Sequence, residues 1–407
     1  MQSTATVAQS QVKSVRLHYL DWLRVLAVLG VFLFHAVHPF DHFDWEIKNA
    51  EKSIPVTLFI VFFGPWGMPF FFLMSGTGSW FSLRRRTGRQ YAGERVRRLF
   101  VPFIVGSLIL SPIQLYFQWR HQSQTGLFGG TLFEFLQIRE ISFGPRVFGW
   151  AGYHLWFLGF LFAYSLIALP LFLGLRKDAG RRFVAWLANC CERRGGILLF
   201  ILPLILVRFT LQPLFPAEHD WADFLYTLVF FLCGYLLYDD KRFSSAIRRD
   251  WPIVLILGIA STLFFFGAGA ADVATAWMVT PGTPGFYLAW GLFSVNSWCW
   301  AIFMLYVGMR WLDFRNHWLE YGQEAAMPFY LFHQPVIIII AFYVVQWDTS
   351  AMFGTGIGLL VKLLIVVSSS FAITLGLYEL LARRIKPVRA LFGIKSGKTQ
   401  AGAQPES

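Results

Sequence analysis

Long apolar stretches recur along most of this chain and restrict its possible folds more than any other feature. A stretch of about 20 apolar residues is long enough to cross a bilayer. Because the hydrocarbon core holds no water, each stretch has to be helical to satisfy its own backbone. The composition agrees, since 56% of the residues are hydrophobic and 14% are charged, against about 25% charged in soluble proteins. The sequence therefore predicts an all-α, polytopic membrane protein.

The apolar runs predict about ten transmembrane helices within one transmembrane domain, residues 16–392. The ten spans are predicted at 19–40, 56–80, 99–119, 154–175, 196–214, 221–238, 251–270, 285–309, 325–346 and 355–382. The polar and small residues 1–15 and 393–407 are predicted to be disordered tails at the N- and C-terminus.

The basic residues predict how these helices are oriented. Of the 35 Lys and Arg residues, 27 lie in alternate segments between the apolar runs and five lie in the opposite segments. Cytoplasmic loops of membrane proteins carry such an excess, so both termini are predicted to be cytoplasmic, which requires an even number of spans. The clustering also means that the net charge of +12 reports topology and not nucleic-acid binding. The four cysteines show no metal-ligand spacing, and no metal is predicted.

The first apolar run carries ionisable residues, which are functional candidates when they occur inside a membrane. Arg24 and His35 are eleven residues apart, so they share one helical face at a separation of roughly 16 Å. Asp21 precedes Arg24 by three residues and can pair with it. In one interpretation these groups only anchor and pack the helix. In the interpretation that we favour, Arg24 binds an anion from the cytoplasm and His35 is a base, since an unperturbed histidine pKa of about 6.5 suits that role.

Several motifs occur in a fixed order around this pair. They are Arg24–x10–His35, FFLMSG ending at Ser75–Gly76, Arg95–Val96–Arg97–Arg98 with Pro102 after it, His154–Leu155–Trp156–Phe157–Leu158, FYLFHQP with His333 and Pro335, and Tyr378–Glu379. With these motifs the chain resembles the acyltransferase 3 family of membrane O-acyltransferases over nearly its whole length. It departs from the family pattern at Thr77, where an aromatic residue is common, and in having HQP where an HWP-like form is common.

The resemblance implies a bacterial inner-membrane enzyme that takes an acyl group from cytoplasmic acyl-CoA and places it on a hydroxyl of an outward-facing glycan, such as a periplasmic glucan. His35 would be the general base, and Arg24, Arg95 and Arg98 would bind the polyanionic acyl-CoA, since arginine suits phosphate. The co-substrate would be succinyl-CoA or acetyl-CoA. Expected partners are the lipid bilayer, the glycan acceptor and glycan biosynthesis proteins; nucleic acid is not expected.

Other motif residues are assigned supporting roles. Ser75, Trp156 and His333 are candidate hydrogen-bond donors to an oxyanion, although His154 and His333 could equally be packing residues. Glu379 is expected to pair with a basic neighbour.

Residues on the outward side are assigned from their position alone. His38 and His42 follow His35 at near-helical spacing and are expected to be solvated at the outer rim. The outward segments 41–55 and 120–153 contain acidic and aromatic residues suited to carbohydrate.

Arg208 in the fifth span is a candidate cation for the carboxylate of a succinyl group.

Two other functions remain compatible with these residues. A transporter or flippase could use Arg24 and His35 in a substrate or proton path. A scaffold subunit could use its polar residues only for helix packing. The sequence does not decide the acyl group, the acceptor or the oligomeric state.

Overall fold

A computed structural model describes residues 17–131, 134 and 144–392 of the chain. The two predicted tails, 1–15 and 393–407, lie outside the described residues, as do residues 132, 133 and 135–143 of the long outward segment. Among the described residues the regular structure is entirely helical. The predicted all-α fold is therefore confirmed.

Ten apolar helices account for the ten predicted spans in the described part of the chain. They are α1 (His18–Phe40), α2 (Ile54–Leu83), α3 (Gly88–Gln124), α4 (Arg146–Ile167), α5 (Gly196–Leu211), α6 (Trp221–Leu236), α7 (Lys241–Ala270), α8 (Pro284–Trp311), α9 (His317–Val344) and α10 (Thr355–Ala382). Eight of them are long and apolar enough to cross a membrane. The other two, α5 and α6, are shorter, and the 16 residues of α6 give it a length of roughly 24 Å.

The helices pack in a bundle around α2 and α9. Helix α2 packs against α6, α8 and α1, and α9 packs against α1, α10 and the second half of α3. Helix α9 is the most enclosed of the long helices, whereas α7 and α10 have little of their apolar surface buried by the protein. Because exposed apolar side chains suit contact with lipid, α7 and α10 form part of the lipid-facing surface.

The closest helix crossing lies at the Ser75–Gly76 motif. A Cβ atom at Gly76 would be 1.9 Å from the backbone oxygen of Phe231, and one at Gly234 would be 1.9 Å from the backbone oxygen of Leu73. The hydroxyl of Thr77 donates to the Gly234 carbonyl oxygen at 3.1 Å. The two glycines therefore let the backbones of α2 and α6 touch, as small residues do in membrane helix pairs.

The segments rich in Lys and Arg meet at one end of the bundle, here called the basic end. The backbone nitrogen of His18 donates to Asp313 at 3.0 Å, which joins the start of α1 to the α8–α9 connection. The Tyr321 and Tyr378 rings, 5.7 Å apart, join the start of α9 to the end of α10. Both ends of the described chain thus lie at the same end of the bundle. That this end faces the cytoplasm remains a prediction from the charge bias.

At the opposite end, the segment after α1 is attached to several helices. The backbone nitrogen of Lys48 donates to Nε2 of His121 in α3 at 3.1 Å. The buried Lys362 of α10 donates to the side-chain oxygen of Asn49 and to the Val345 carbonyl oxygen, both at 3.1 Å. This segment, residues 41–53, therefore has a defined position over the mouth of the bundle and is called the rim loop below.

The α2–α6 crossing gives a direct test of the fold. Gly76→Ala would place a methyl carbon against backbone atoms that cannot rotate away. We expect a loss of about 3 kcal/mol or more in the free energy of unfolding, measured as a lower melting temperature and a lower yield of monodisperse protein in detergent. Gly376→Ala is the matched control, because the Cβ position of Gly376 in α10 has no atom within 4 Å. Equal stability of the two variants would contradict the crossing.

Candidate active site

His35 of α1 and His333 of α9 lie side by side in the interior of the bundle. Nδ1 of His35 is 3.0 Å from Nε2 of His333, although the residues are 298 positions apart in the chain. Their ring centroids are 5.2 Å apart. One of the predicted supporting residues is therefore the neighbour of the predicted base.

The backbone determines which nitrogens of this pair carry protons. Nδ1 of His333 is 2.6 Å from the Tyr330 carbonyl oxygen, and a carbonyl oxygen only accepts, so Nδ1 of a neutral His333 is protonated. Nε2 of His333 is then an acceptor, and Nδ1 of His35 has to donate to it. This leaves Nε2 of His35 unprotonated, and no group among the described residues hydrogen-bonds to that atom. His35 is half-buried, so its unprotonated Nε2 is accessible to a ligand and can act as a base.

Pro335 explains how His154 joins the histidine pair. In a regular helix the N–H of residue 335 would donate to the Leu331 carbonyl oxygen, but proline has no N–H. Nε2 of His154 lies 3.1 Å from this freed oxygen and donates to it. The His154 ring packs edge-on against His333, at a centroid distance of 5.2 Å. The HLWFL and HQP motifs therefore meet in a histidine cluster, formed by His35, His154 and His333.

The backbone around His154 is held firmly. The hydroxyl of Tyr330 donates to the His154 carbonyl oxygen at 2.5 Å, and the Gln114 amide lies 3.4 Å from Nδ1 of His154. Directly before His154, Tyr153 has a φ of 51°, which is a rare conformation for a bulky residue. Strain of this kind costs about 1–3 kcal/mol and persists only where its surroundings enforce it. His154 is thus fixed by α9, by α3 and by its own strained turn.

The rim loop folds back over His35. The Trp45 ring stacks on His38 at 5.4 Å between centroids and lies 6.4 Å from His35. The loop is held in place by Asp41, whose two carboxylate oxygens lie 2.6 Å from Nδ1 of His38 and 2.9 Å from Nζ of Lys48. The side chain of Lys48 also donates to the His38 carbonyl oxygen at 2.5 Å. The mouth of the bundle above His35 is therefore covered by an ordered loop that gives it an aromatic wall.

This loop corrects the expectation for His38. His38 is only 9% exposed, because Asp41 and Lys48 return to it and Trp45 covers its ring. The prediction that it is solvated is wrong, whereas His42 is exposed and shares a hydrogen bond with Thr57. Sequence reasoning missed the contact because nothing in the spacing shows that the chain reverses after Asp41.

Asp41 is fully buried and keeps its charge. Burial alone would raise its pKa, but the contacts with His38 and Lys48 hold the pKa of Asp41 below its usual value of 3.8. A buried carboxylate with two cationic or hydrogen-bonding partners is stable as an ion, so this group fixes the loop at neutral pH.

Toward the basic end, Arg24 and Arg95 approach one face of α2. A Cβ at Gly78 would lie 3.6 Å from Nη2 of Arg24, and Nη2 of Arg95 donates to the Ser79 hydroxyl at 3.4 Å. The guanidinium of Arg95 also lies 4.6 Å over the Tyr91 ring, while its Nε is buried without a hydrogen-bond partner among the described residues. Such an unsatisfied donor is costly and is suited to an anionic ligand.

The remaining basic motif residue is already paired. Nη1 of Arg98 lies 3.0 Å from Glu94, whose other oxygen lies 3.2 Å from Arg86. Arg97 and Arg98 of the motif lie in a π-helical turn, Val96–Phe100, that begins directly after Arg95, and such turns are often found at functional sites. Of Arg95 and Arg98, Arg95 is therefore the one with unused hydrogen-bonding capacity.

Four other predicted residues lie away from the histidine cluster. Trp156 packs against His219, with 4.3 Å between ring centroids. Glu379 lies at the basic end and pairs with Arg383 at 3.0 Å, as expected of a structural residue. Ser75 is half-buried on α2, one turn before Ser79 and on the same face. Asp21 lies 3.6 Å from Arg24, as its spacing predicted.

The buried Arg208 already has partners within the protein. It donates to Asp223 at 2.8 Å and to Gln212 at 2.5 Å, and its guanidinium lies 4.1 Å over the Tyr226 ring. Its Nε, like that of Arg95, is buried without a hydrogen-bond partner among the described residues, so its role in binding a substrate carboxylate stays a prediction. Among the described residues, no group of three or more His, Cys, Asp or Glu side chains is placed to hold a metal ion.

Comparisons with known proteins cover most of the chain. A family model described as an acyltransferase domain matches residues 17–379. Glucans biosynthesis protein C of Escherichia coli O139:H28 (strain E24377A / ETEC) is 24% identical over 364 residues, which cover 86% of this chain and 89% of that protein. The proteins of the same name from Escherichia coli O157:H7 and strain K12 give the same identity and coverage. No solved structure matches the chain.

The buried Asp41 predicts how the rim loop responds to pH. Because its pKa is lower in the folded than in the unfolded protein, its stabilising contribution is complete above the unfolded value and is lost as the pH falls through the folded value. Asp41→Asn should remove this contribution and cost about 3 kcal/mol at neutral pH, because Lys48 and His38 lose their buried partner.

The measurement is thermal unfolding together with hydrogen–deuterium exchange of residues 41–53. Asp44→Asn, which removes the same charge from an exposed position in this loop, should change neither quantity. Unchanged exchange in Asp41→Asn would show that the contact does not hold the loop.

Proposed function

The chain belongs to the acyltransferase domain family, whose model spans residues 17–379, and we propose that it transfers an acyl group from cytoplasmic acyl-CoA to a hydroxyl of an extracytoplasmic glycan. The acyl group is succinyl or acetyl and the acceptor is a glucan. The name of the relatives, glucans biosynthesis protein C, supports this choice of acceptor. The resemblance to membrane O-acyltransferases supports acyl-CoA as the donor and the bacterial inner membrane as the location.

The observation that carries the catalytic part of the proposal is the proton arrangement of His35 and His333. His35 donates from Nδ1 to His333, and His333 donates from Nδ1 to the Tyr330 carbonyl oxygen. This chain of hydrogen bonds fixes the ring of His35 and keeps its Nε2 lone pair available. In serine hydrolases an aspartate fixes the catalytic histidine in the same way. His333 is therefore a positioning residue for the base.

The reaction follows from this arrangement. Nε2 of His35 takes the proton of the acceptor hydroxyl while the hydroxyl oxygen attacks the thioester carbonyl carbon. The C–S bond then breaks, and the proton passes from His35 to the departing thiolate. The products are an ester on the glycan and a free thiol. His333 stabilises the transient imidazolium of His35, because it accepts the Nδ1 hydrogen bond throughout.

The donor is bound between α1, α2 and α3 at the basic end. Arg24 and Arg95 flank the face of α2 that carries Gly78 and Ser79, where small side chains leave room for an extended thioester arm. Phosphate oxygens of the donor satisfy the buried Nε of Arg95. Arg98 contributes less, because Glu94 neutralises it.

The acceptor enters from the opposite end. Trp45 covers one side of the His35 and His38 rings, and aromatic side chains suit the apolar faces of sugars. Two outward segments are suited to carbohydrate. The rim loop belongs to the first of them, and it is the part that lies next to the proposed base.

The central test is transfer of a labelled acyl group by purified protein. With radiolabelled succinyl-CoA or acetyl-CoA and a glucan acceptor, His35→Ala should reduce kcat by about 10²–10⁴-fold, the range that general-base catalysis contributes. His333→Leu should reduce kcat by about tenfold or more with an unchanged KM for the donor. His333→Gln should retain more activity, because its amide oxygen can still accept from His35.

Each variant has to melt within a few degrees of the wild type for this comparison. Full activity of His35→Ala would exclude His35 as the base, and equal activity of the two His333 variants would exclude the positioning role. A flippase would move unmodified substrate across the membrane and leave no label on the glycan in any variant.

The donor assignment predicts a different kinetic signature. Arg95→Gln should raise the KM for acyl-CoA by about tenfold or more, with a smaller effect on kcat, because a charge-assisted hydrogen bond contributes about 1.5–3 kcal/mol. Arg97→Gln is the matched control, since Arg97 lies two residues after Arg95 in the same motif but is exposed. Equal KM values for the two variants would contradict the assignment.

A further inference from the structure

A polar cleft at the basic end is not part of the proposed catalytic path. It is an open cleft of about 520 Å³ between the ends of α2 and α6 and the helix Asp178–Glu192. Its polar lining consists of Trp80 and Arg84 from the end of α2, Arg176 and Arg181 from the α4–α5 connection, and Asp239 and Asp240 after α6.

The acidic residues of this cleft are already engaged. Asp239 accepts a hydrogen bond from the Trp80 indole at 2.8 Å. Asp240 pairs with Arg242 at 2.7 Å, and this contact holds the pKa of Asp240 below its usual value. Neither carboxylate forms an ion pair with an arginine that lines the cleft, within the described parts of the chain.

The three lining arginines keep most of their hydrogen-bonding capacity. Arg176 donates to the Leu83 carbonyl oxygen at 3.2 Å, and Arg181 donates to the Arg176 carbonyl oxygen at 2.9 Å. The guanidinium of Arg84 lies 4.6 Å over the Trp80 ring. Each guanidinium has five N–H donors, so several donors and three positive charges remain for an anion.

The cleft is separate from the face of α2 that faces Arg24. Successive residues of a helix are rotated by about 100°, so Trp80 points away from the direction of Gly78, which faces Arg24. Arg84 lies one turn after Trp80 on the same side. A ligand in the cleft therefore does not occupy the proposed donor site.

The helix that borders the cleft is suited to a membrane surface. Val184 and Ala188 are buried against the bundle, whereas Phe183 and Trp186 are 48% and 59% exposed, with their rings 5.9 Å apart. Aromatic side chains exposed on an amphipathic helix anchor it at the lipid–water interface. The cleft beside this helix then opens at the level of the lipid headgroups.

We propose that this cleft binds the phosphate of an anionic membrane phospholipid. Guanidinium groups recognise phosphate oxygens in pairs, and basic pockets on the cytoplasmic side of membrane proteins hold anionic headgroups. The lipid chains lie against the exposed side of the bordering helix, next to Phe183 and Trp186. A soluble nucleotide shares the phosphate chemistry but would leave these exposed aromatic residues without contact.

The experiment is native mass spectrometry of the full chain in detergent with phosphatidylglycerol or phosphatidylcholine of the same chain length. Phosphatidylglycerol should form the more abundant adduct with the wild type. The adduct should fall by about fivefold for each arginine replaced, in the single variants Arg84→Gln, Arg176→Gln and Arg181→Gln and in the triple variant that combines them. Arg182→Gln, which removes the same charge from an exposed neighbour outside the cleft, should bind phosphatidylglycerol like the wild type.

Three results would overturn the proposal. They are equal phosphatidylglycerol binding by the wild type and the triple variant, equal binding of both lipids by the wild type, and arginine-dependent binding of adenosine 3′,5′-bisphosphate without phosphatidylglycerol binding. If the triple variant does not elute as monodisperse protein, Arg176→Gln is compared with Arg182→Gln by the same criterion. The test does not depend on acyl transfer, so it stands apart from the proposed function.

Discussion

The candidate active site depends on a hydrogen bond that Pro335 cannot make. Inside a membrane, water cannot satisfy a carbonyl oxygen that loses its helical partner. The Leu331 oxygen, left free by Pro335, accepts the N–H of His154 instead. One turn of α9 thus orients two histidines from its backbone, because the neighbouring Tyr330 oxygen accepts the N–H of His333. A single missing backbone hydrogen bond within a continuous helix therefore helps to orient the imidazole N–H groups of this site.

Helix α2 links this site to the basic end, and two of its faces have different roles. One face carries Gly76 and meets α6 in backbone contact. Another face carries Gly78 and Ser79, which Arg24 and Arg95 approach. Because the α2–α6 crossing at Gly76 is rigid, it also fixes the position of the face that carries Gly78 and Ser79. The Ser75–Gly76 motif is explained in this way by packing, with Gly76 as the residue that the crossing requires.

Hydrophobicity and helical periodicity predicted much of this molecule. The apolar runs located all ten helices, and the 3.6-residue repeat placed Arg24 and His35 on one face. The contact between His35 and His333 joins residues 298 positions apart, which no local pattern specifies. The burial of His38 was missed for a related reason, since it depends on a reversal of the chain after Asp41. The freed carbonyl oxygen of Leu331 did have a signal in the sequence, because Pro335 lies inside an apolar run and has no N–H to donate to it.

The proposed chemistry also explains why the base and an anion-binding arginine share α1. A helix fixes the separation of Arg24 and His35 at roughly 16 Å along its axis, whereas loops would let it vary. One inserted residue between them would add about 1.5 Å and turn His35 by about 100°. His35 would then leave His333 and lose its defined tautomer. The spacing is therefore a geometric requirement of the proposed mechanism, since the same helix has to keep the donor phosphates at the basic end and the reacting carbonyl at His35.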